Sequence, residues 1–229
     1  MNVARSLGGV SVVLLAAACA SGGTRAESAT ATPAATTTRS DTTARRTTTD
    51  TVPGLVPAGY GTFKQEDLSL RLRSSSLQVR ATPLDESIIR LLSPDSYRAM
   101  SELKRSKQDA IAAVGRRNAV RELSLWYVSF FAVERGETRF SPREFIITNV
   151  GRDFRPLDVI PLTPGFGEQR LKQNGRQDAL YVFDGQLDAQ QPLSVSYETA
   201  RNDDWAAVLP LIERERAQVR GRAAARRVP

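Results

Sequence analysis

At residues 123–133 the chain reads LSLWYVSFFAV, the most apolar stretch of its folded part. The stretch is rich in aromatic and β-branched residues, which are enriched in strands. It is apolar on both faces of a strand, as is typical of strands covered by other structure on each side. We therefore predict a central strand here and place the rest of the domain around it.

Two shorter strands are predicted before the central one. Residues 68–72 and 77–81 alternate apolar and polar side chains, a period of two that places one face on a core and the other in water. The serines at 74–76, between these strands, are typical of a bend or bulge.

Turn residues separate the strands that follow. Arg135-Gly136 is predicted to turn the chain from the central strand into a partner strand that reaches residue 147, and residues 149–151 form the next turn. Asp184-Gly185 is a dipeptide favoured in tight hairpin turns. Further strands are predicted at 157–160, 179–183 and 193–197, with a loop at 164–167. Short strands at regular spacing favour a two-sheet sandwich.

A helix is predicted between the second and the central strand, over about 93–115. Ser93 is suited to the N-cap, Pro94 to the first helical position and Gly115 to the end of the helix. Lysines and arginines occupy the face of this helix that we expect to be exposed.

A second helix is predicted to close the chain, over about 203–225. Its apolar stripe consists of Trp205, Val208, Leu209 and Ile212. Pro210 either kinks this helix or marks a fresh start at its first turn.

Taken together, the strands between residues 68 and 199 resemble the immunoglobulin-like domains that often follow the linker of a lipoprotein. The resemblance implies a mainly β fold, an immunoglobulin-like antiparallel β-sandwich with an inserted helix and a C-terminal helix. The paired core cysteines of antibody-type domains are missing, because the chain has a single cysteine.

That cysteine, Cys19, lies at the end of an N-terminal export signal. A short basic start at 1–5 precedes an apolar run at 10–15 and the alanines at 16–18. A charged segment, a short apolar segment and small residues before a cut describe a secretory signal, which is too short to span a bilayer.

Cys19 and the alanines before it resemble the lipobox of bacterial lipoproteins. The resemblance implies cleavage after Ala18, diacylation of the Cys19 thiol and acylation of the new amino terminus. Residues 1–18 are then a signal peptide, and two or more acyl chains hold a protein stably at a membrane. Ala20, in place of Asp, implies export to the outer membrane. An ordinary signal peptide, cut after an Ala-x-Ala site, is the alternative.

A tether is predicted between the anchor and the domain, over residues 19–54. It is rich in Thr, Ala, Ser, Pro and Arg and has almost no large apolar residue, so it cannot bury enough surface to offset the cost of ordering. Its root-mean-square span is roughly 30 Å. Its composition also permits O-glycosylation. Residues 55–229 are the right length for one folded domain.

The residue types present limit the chemistry. With no histidine in the chain, Ser-His-Asp and Cys-His catalysis and histidine-ligated metals are excluded. Ser101 and Lys104 fit the S-x-x-K motif and resemble the Ser/Lys pair of penicillin-binding proteins and β-lactamases, but the accompanying Ser-Asp-Asn and Lys-Thr-Gly motifs are absent.

Acidic side chains give no clear metal or glycosidase pattern either. We interpret Asp203 and Asp204 as caps of the terminal helix and Asp184 as a turn residue. Neither these nor Asp188 have the ligand spacing of a calcium loop. No cofactor or metal is expected.

The chain is basic, with 32 Lys and Arg against 25 Asp and Glu and a formal net charge of +7. The last part of the terminal helix carries many arginines, with only Val219 as an apolar neighbour. Candidate contacts to an anionic envelope component are Arg216, Arg220, Arg222, Arg226 and Arg227. A solvated charged face is the alternative. Export and the lack of a binding motif argue against a nucleic-acid partner.

These features predict a non-enzymatic envelope lipoprotein, anchored at Cys19 in the outer membrane, whose domain binds, scaffolds or assembles an envelope protein or polymer. Two alternatives remain open. One is a hydrolase of envelope polymers that uses carboxylates or the Ser101/Lys104 pair. The other is an accessory subunit of a secretion or transport complex.

Overall fold

The computed structural model describes residues 54–74 and 76–226. The predicted signal peptide, the predicted lipidation site Cys19, the predicted tether up to residue 53 and Arg227 lie outside the described residues. Helices account for about 34% and strands for about 33% of the structure. The prediction of a mainly β fold with antiparallel sheets and a C-terminal helix is confirmed.

The strands of the described residues are, in chain order, β1 Leu70–Arg73, β2 Leu77–Pro83, β3 Leu123–Ala132, β4 Glu137–Arg139, β5 Ile146–Asn149, β6 Arg152–Phe154, β7 Asp158–Pro161, β8 Arg170–Lys172, β9 Arg176–Asp184, β10 Leu193–Tyr197 and β11 Ala200–Asn202. They form a five-stranded sheet in the order β1-β2-β3-β9-β7 and a four-stranded sheet in the order β11-β10-β5-β6. β4 and β8 pair separately. All these pairings are antiparallel.

The apolar stretch that begins at Leu123 forms β3, in the middle of the five-stranded sheet. Trp126, Val128 and Phe130 on one of its faces are fully buried. The Phe130 ring lies 5.5 Å from the Tyr197 ring of β10 and 4.8 Å from that of Phe140. Contacts between aromatic rings at such distances stabilise the core beyond the area they bury.

The pairing of β3 differs from the prediction. We expected its partner to be the strand that follows the turn at Arg135-Gly136, but β3 pairs with β2 and β9. The segment after the turn forms β4, which pairs with β8, and then β5, which pairs with β10 and β6. Asp184-Gly185 likewise forms a turn, but the strands on either side of it, β9 and β10, belong to different sheets.

Between β2 and β3 lie three helices, α1 Glu86–Ile89, α2 Pro94–Ser106 and α3 Gln108–Asn118. The single helix expected over 93–115 is therefore two, interrupted at Lys107, which leaves helical geometry at ψ 9°. Gly115 does not end α3. A Cβ there would lie 3.1 Å from the Val120 carbonyl oxygen, so the glycine allows close packing before β3.

The terminal helix, α4, runs from Trp205 to Ala225 as one element, with Pro210 inside it. Trp205 is fully buried, and its indole nitrogen donates a hydrogen bond to the Ala189 carbonyl at 2.8 Å. Its ring lies 6.2 Å from that of Trp126 in β3. The helix is therefore held against the sheets at its first residue.

Candidate functional site

The apolar stripe of α4 continues beyond the residues that the sequence pattern marked. Ile212, Val219 and Ala223 are buried, and a charged residue, Glu215, is buried among them at 4% exposure. Residues three or four positions apart share a helix face. The core therefore extends along α4 to Ala223, further than we expected from the scarcity of apolar residues after Arg216.

The Glu215 carboxylate is held by hydrogen bonds from both ends of the folded chain. Its Oε1 atom accepts from the backbone N–H and the hydroxyl of Thr62, each at 2.9 Å. The same oxygen accepts from Arg222 Nη2 at 2.8 Å. A buried carboxylate is stable only when it is paired and hydrogen-bonded, and these three donors meet that requirement.

Arg222 extends this connection to Tyr60. Its Nη1 donates to the Tyr60 carbonyl, and the guanidinium of Arg226 lies 6.0 Å from the Tyr60 ring. We call Tyr60, Thr62, Glu215 and Arg222 the N-terminal clasp. The clasp fixes the last turns of α4 beside the segment through which the chain enters the domain.

The arginines predicted to contact an anionic envelope component have different surroundings in the structure. Arg216 is mostly buried and pairs with Glu213, and Arg222 belongs to the clasp. Arg220 and Arg226 are exposed. The clasp itself was missed from sequence; the signal was a glutamate at a stripe position, between Ile212 and Val219.

The Ser101/Lys104 pair lies on α2 in a cleft of about 400 Å³. The other lining residues are Glu86, Tyr97, Arg105, Gln108, Ile111 and Leu125. The Tyr97 hydroxyl donates to Glu86 Oε1 at 2.9 Å, and burial, followed by this hydrogen bond, raises the pKa of Tyr97. The Ser101 Oγ atom is itself buried. A serine nucleophile has to face its substrate, and this hydroxyl does not.

The acidic residues singled out from sequence make local contacts. Asp204 occupies the N-cap position of α4 but makes no capping bond with its side chain, which accepts from Asn202 at 2.8 Å. The Asp184 and Asp188 carboxylates each accept from the backbone N–H two residues on. Among the described residues, no group of three His, Cys, Asp or Glu could hold a metal ion.

None of the helices described between residues 54 and 226 has the length and the hydropathy needed to span a bilayer. No family model, no curated protein and no solved structure matches this chain.

Proposed function

We propose that this chain is a lipid-anchored protein of the bacterial cell envelope, held in the outer membrane through Cys19. Its mainly β domain acts without enzymatic activity and binds, scaffolds or assembles an envelope protein or polymer. The sequence around Cys19 supports the anchor, because a basic start, an apolar run and three alanines precede the only cysteine.

One structural observation carries the proposal furthest, namely the position of the basic end of α4. Through Arg222 and Arg226 this end contacts Tyr60, close to the first residues of the domain. A domain tethered through its N-terminus is anchored on this side. Arg220 and Arg226 are exposed on this part of the helix and add positive charge to this side of the domain.

Electrostatics makes this placement favourable at an anionic membrane. Each basic residue near such a surface contributes about 1 kcal/mol of attraction, which falls off within a Debye length. Two exposed arginines add a weak preference of orientation to a strong covalent anchor. The anchor holds the domain at the membrane, and the arginines bias which side faces the lipid.

We also propose that the packed sheets form a β-sandwich of the immunoglobulin-like kind. Ring contacts support this architecture, including Phe130 of β3 with Tyr197 of β10, and Phe145, the residue before β5, with Tyr181 of β9 at 5.3 Å. Such a sandwich places its loops at two ends, where binding residues are commonly found. The architecture therefore suits a binding or scaffolding domain.

The anchor is tested by replacing Cys19 with serine in the full chain, expressed in a bacterium that processes lipoproteins. We expect wild-type protein to incorporate labelled palmitate and to sediment with membranes, and Cys19→Ser to do neither, since serine lacks the thiol that is acylated. Ser21→Ala is the matched control and should behave as wild type. A Cys19→Ser protein that still labels and sediments would exclude lipidation at this residue.

A further inference from the structure

Two rows of side chains, polar except for Phe131, cross one face of the five-stranded sheet, and Ser129 in the second row is buried. One row, in register across four strands, is Arg73, Gln78, Phe131 and Arg176; the next is Arg71, Arg80, Ser129 and Asp178. On β1, Arg71 and Arg73 alternate with Leu70 and Leu72, which are buried on the opposite face. Four arginines thus share one sheet face around a single phenylalanine. We call Arg71, Arg73, Arg80 and Arg176 the arginine face.

Two of these guanidiniums lie against the Phe131 ring. The distances from their Cζ atoms to the ring centroid are 5.5 Å for Arg80 and 5.1 Å for Arg176. Such cation–π contacts hold long side chains in defined positions. Arg176 is further fixed by hydrogen bonds to Asp178 Oδ1 at 2.8 Å and to the Tyr127 hydroxyl at 2.5 Å.

The acidic groups on this face do not balance its arginines. Arg80 pairs with Glu66 at 3.3 Å and Arg176 with Asp178, which leaves two positive charges in excess. Arg71 and Arg73 are exposed, and none of the ion pairs in the described part of the chain involves either of them. The Arg80 Nε atom is buried without a hydrogen-bond partner. The exposed Arg71 and Arg73 therefore leave this face with surplus positive charge beside two arginines that are held in place.

The α-helices α2 and α3 lie at the other end of this sheet face, whereas Glu66, which pairs with Arg80, belongs to a short 3-10 helix, Gln65–Leu68. At the end with the α-helices, Leu125 of β3 lines the cleft with α2 and α3, and Asp158 of β7 pairs with Arg117 of α3 at 2.7 Å. The arginines lie at the end away from these contacts. From β1 to β9 they spread over three strand spacings, roughly 14 Å.

We propose that the arginine face binds an acidic polysaccharide, a polymer whose carboxylates recur along an extended chain. Guanidinium groups bind carboxylates through paired hydrogen bonds. Charges spread over this distance on one sheet face match repeated acidic groups better than a single small anion. The polar side chains between them, such as that of Gln78, suit sugar hydroxyls. The envelope as the source of this polymer rests on the proposed function, whereas binding itself does not.

The test measures the affinity of the purified full chain, in neutral detergent, for a hexamer of galacturonic acid. The fully methyl-esterified hexamer is the uncharged control ligand. The variant is Arg71→Gln with Arg73→Gln, because both side chains are exposed and outside the core. The matched control is Arg116→Gln with Arg121→Gln, which removes the same charge from exposed positions elsewhere.

We expect the acidic hexamer to bind wild type, and the Arg71/Arg73 variant to bind it roughly tenfold more weakly because two charge-assisted contacts are lost. The Arg116/Arg121 variant should stay within about twofold of wild type, since distant charges are screened. Added salt should weaken wild-type binding. The esterified hexamer should bind poorly to all proteins.

Vesicles containing phosphatidylglycerol form a second arm of the experiment, without detergent and with Cys19→Ser in every protein, so that no lipid anchor contributes to binding. In this background the Arg71→Gln/Arg73→Gln variant should bind the vesicles as the protein with all its arginines does, whereas Arg220→Gln with Arg226→Gln should bind them more weakly. The proposal is overturned if the Arg71/Arg73 and Arg116/Arg121 variants lose hexamer binding equally, if the esterified hexamer binds as well as the acidic one, or if the acidic hexamer does not bind. If the Arg71/Arg73 variant loses vesicle binding as much as the Arg220/Arg226 variant does, the arginine face is a lipid-binding surface instead. None of these results bears on lipidation of Cys19.

Discussion

At the scale of single residues, Glu215 shows how a charge inside the core connects distant parts of the chain. Its carboxylate is buried in α4 and accepts hydrogen bonds from Thr62 and Arg222. Removing one partner of such a group leaves a charge without compensation, which costs more than the pair contributes. The position of the first residues of the domain therefore depends on one side chain near the other end of the chain.

Val150 is a residue whose backbone conformation conflicts with its side chain. It forms the turn between β5 and β6 with Gly151, and both have positive φ, 51° and 72°. Two-residue turns with this geometry favour Asn-Gly, whereas a β-branched residue is strained there. Val150 is also 79% exposed, so its side chain contributes little packing.

We therefore expect Val150→Asn to stabilise the domain by about 1 kcal/mol, since asparagine tolerates the left-handed region. For a domain of this size the melting temperature should rise by roughly 2–4 °C. Val150→Thr is the control, because threonine keeps the branching and removes the apolar surface. An equal melting temperature for the asparagine and threonine variants would show that backbone strain at this turn is not the cause.

At the scale of elements, α4 combines a packing face with a basic end. Its buried residues run from Trp205 to Ala223, and its exposed arginines include Arg220 and Arg226. Arg222 belongs neither to the buried face nor to the exposed arginines, since it donates hydrogen bonds to Tyr60 and Glu215. Arginines on one helix therefore have different roles, which their order in the sequence does not reveal.

This difference predicts unequal losses of stability for two neighbouring substitutions. Arg222→Gln should lower the free energy of unfolding by about 2 kcal/mol, because it leaves the buried Glu215 without its cationic donor. Arg220→Gln, exposed on the same helix, should change it by less than about 0.5 kcal/mol. Urea denaturation of both variants measures the difference. Equal stability of the two would mean that the clasp contributes nothing to folding.

Several elements were predictable because their signals are local. The apolar run at 123–133 is β3, and the alternation at 77–81 lies within β2. The pairing of β3 with β9 was not predictable in this way, since five strands separate them in the chain and register depends on contacts across the sheet. The break at Lys107 was missed because no glycine or proline marks it.

The candidate sites were predictable to a smaller extent. Basic residues at the end of α4 were evident from composition, but Glu215 as the centre of the clasp depends on Thr62, which is remote in sequence. The arginine face was hidden for the same reason, because Arg71 and Arg176 meet on one face only through the strand register. Charges that the sequence scatters are brought together by pairing between strands.

At the scale of the whole molecule, the proposals assign different roles to different parts of the chain. In these proposals the N-terminal cysteine provides the anchor, and the basic end of α4 biases which side of the domain faces the membrane. The arginine face of the five-stranded sheet is the proposed binding surface for the polymer. With a single cysteine the chain forms no internal disulfide, so the domain depends on its packed aromatic core for stability.

The central claim, that the chain is anchored through Cys19, is tested most directly by mass spectrometry of the N-terminal peptide from protein purified out of bacterial membranes. We predict that the mature chain begins at Cys19, with a diacylglyceryl group on its thiol and an acyl group on its amino terminus. A mature protein that begins at another residue, or that carries Cys19 with a free thiol, would contradict the account.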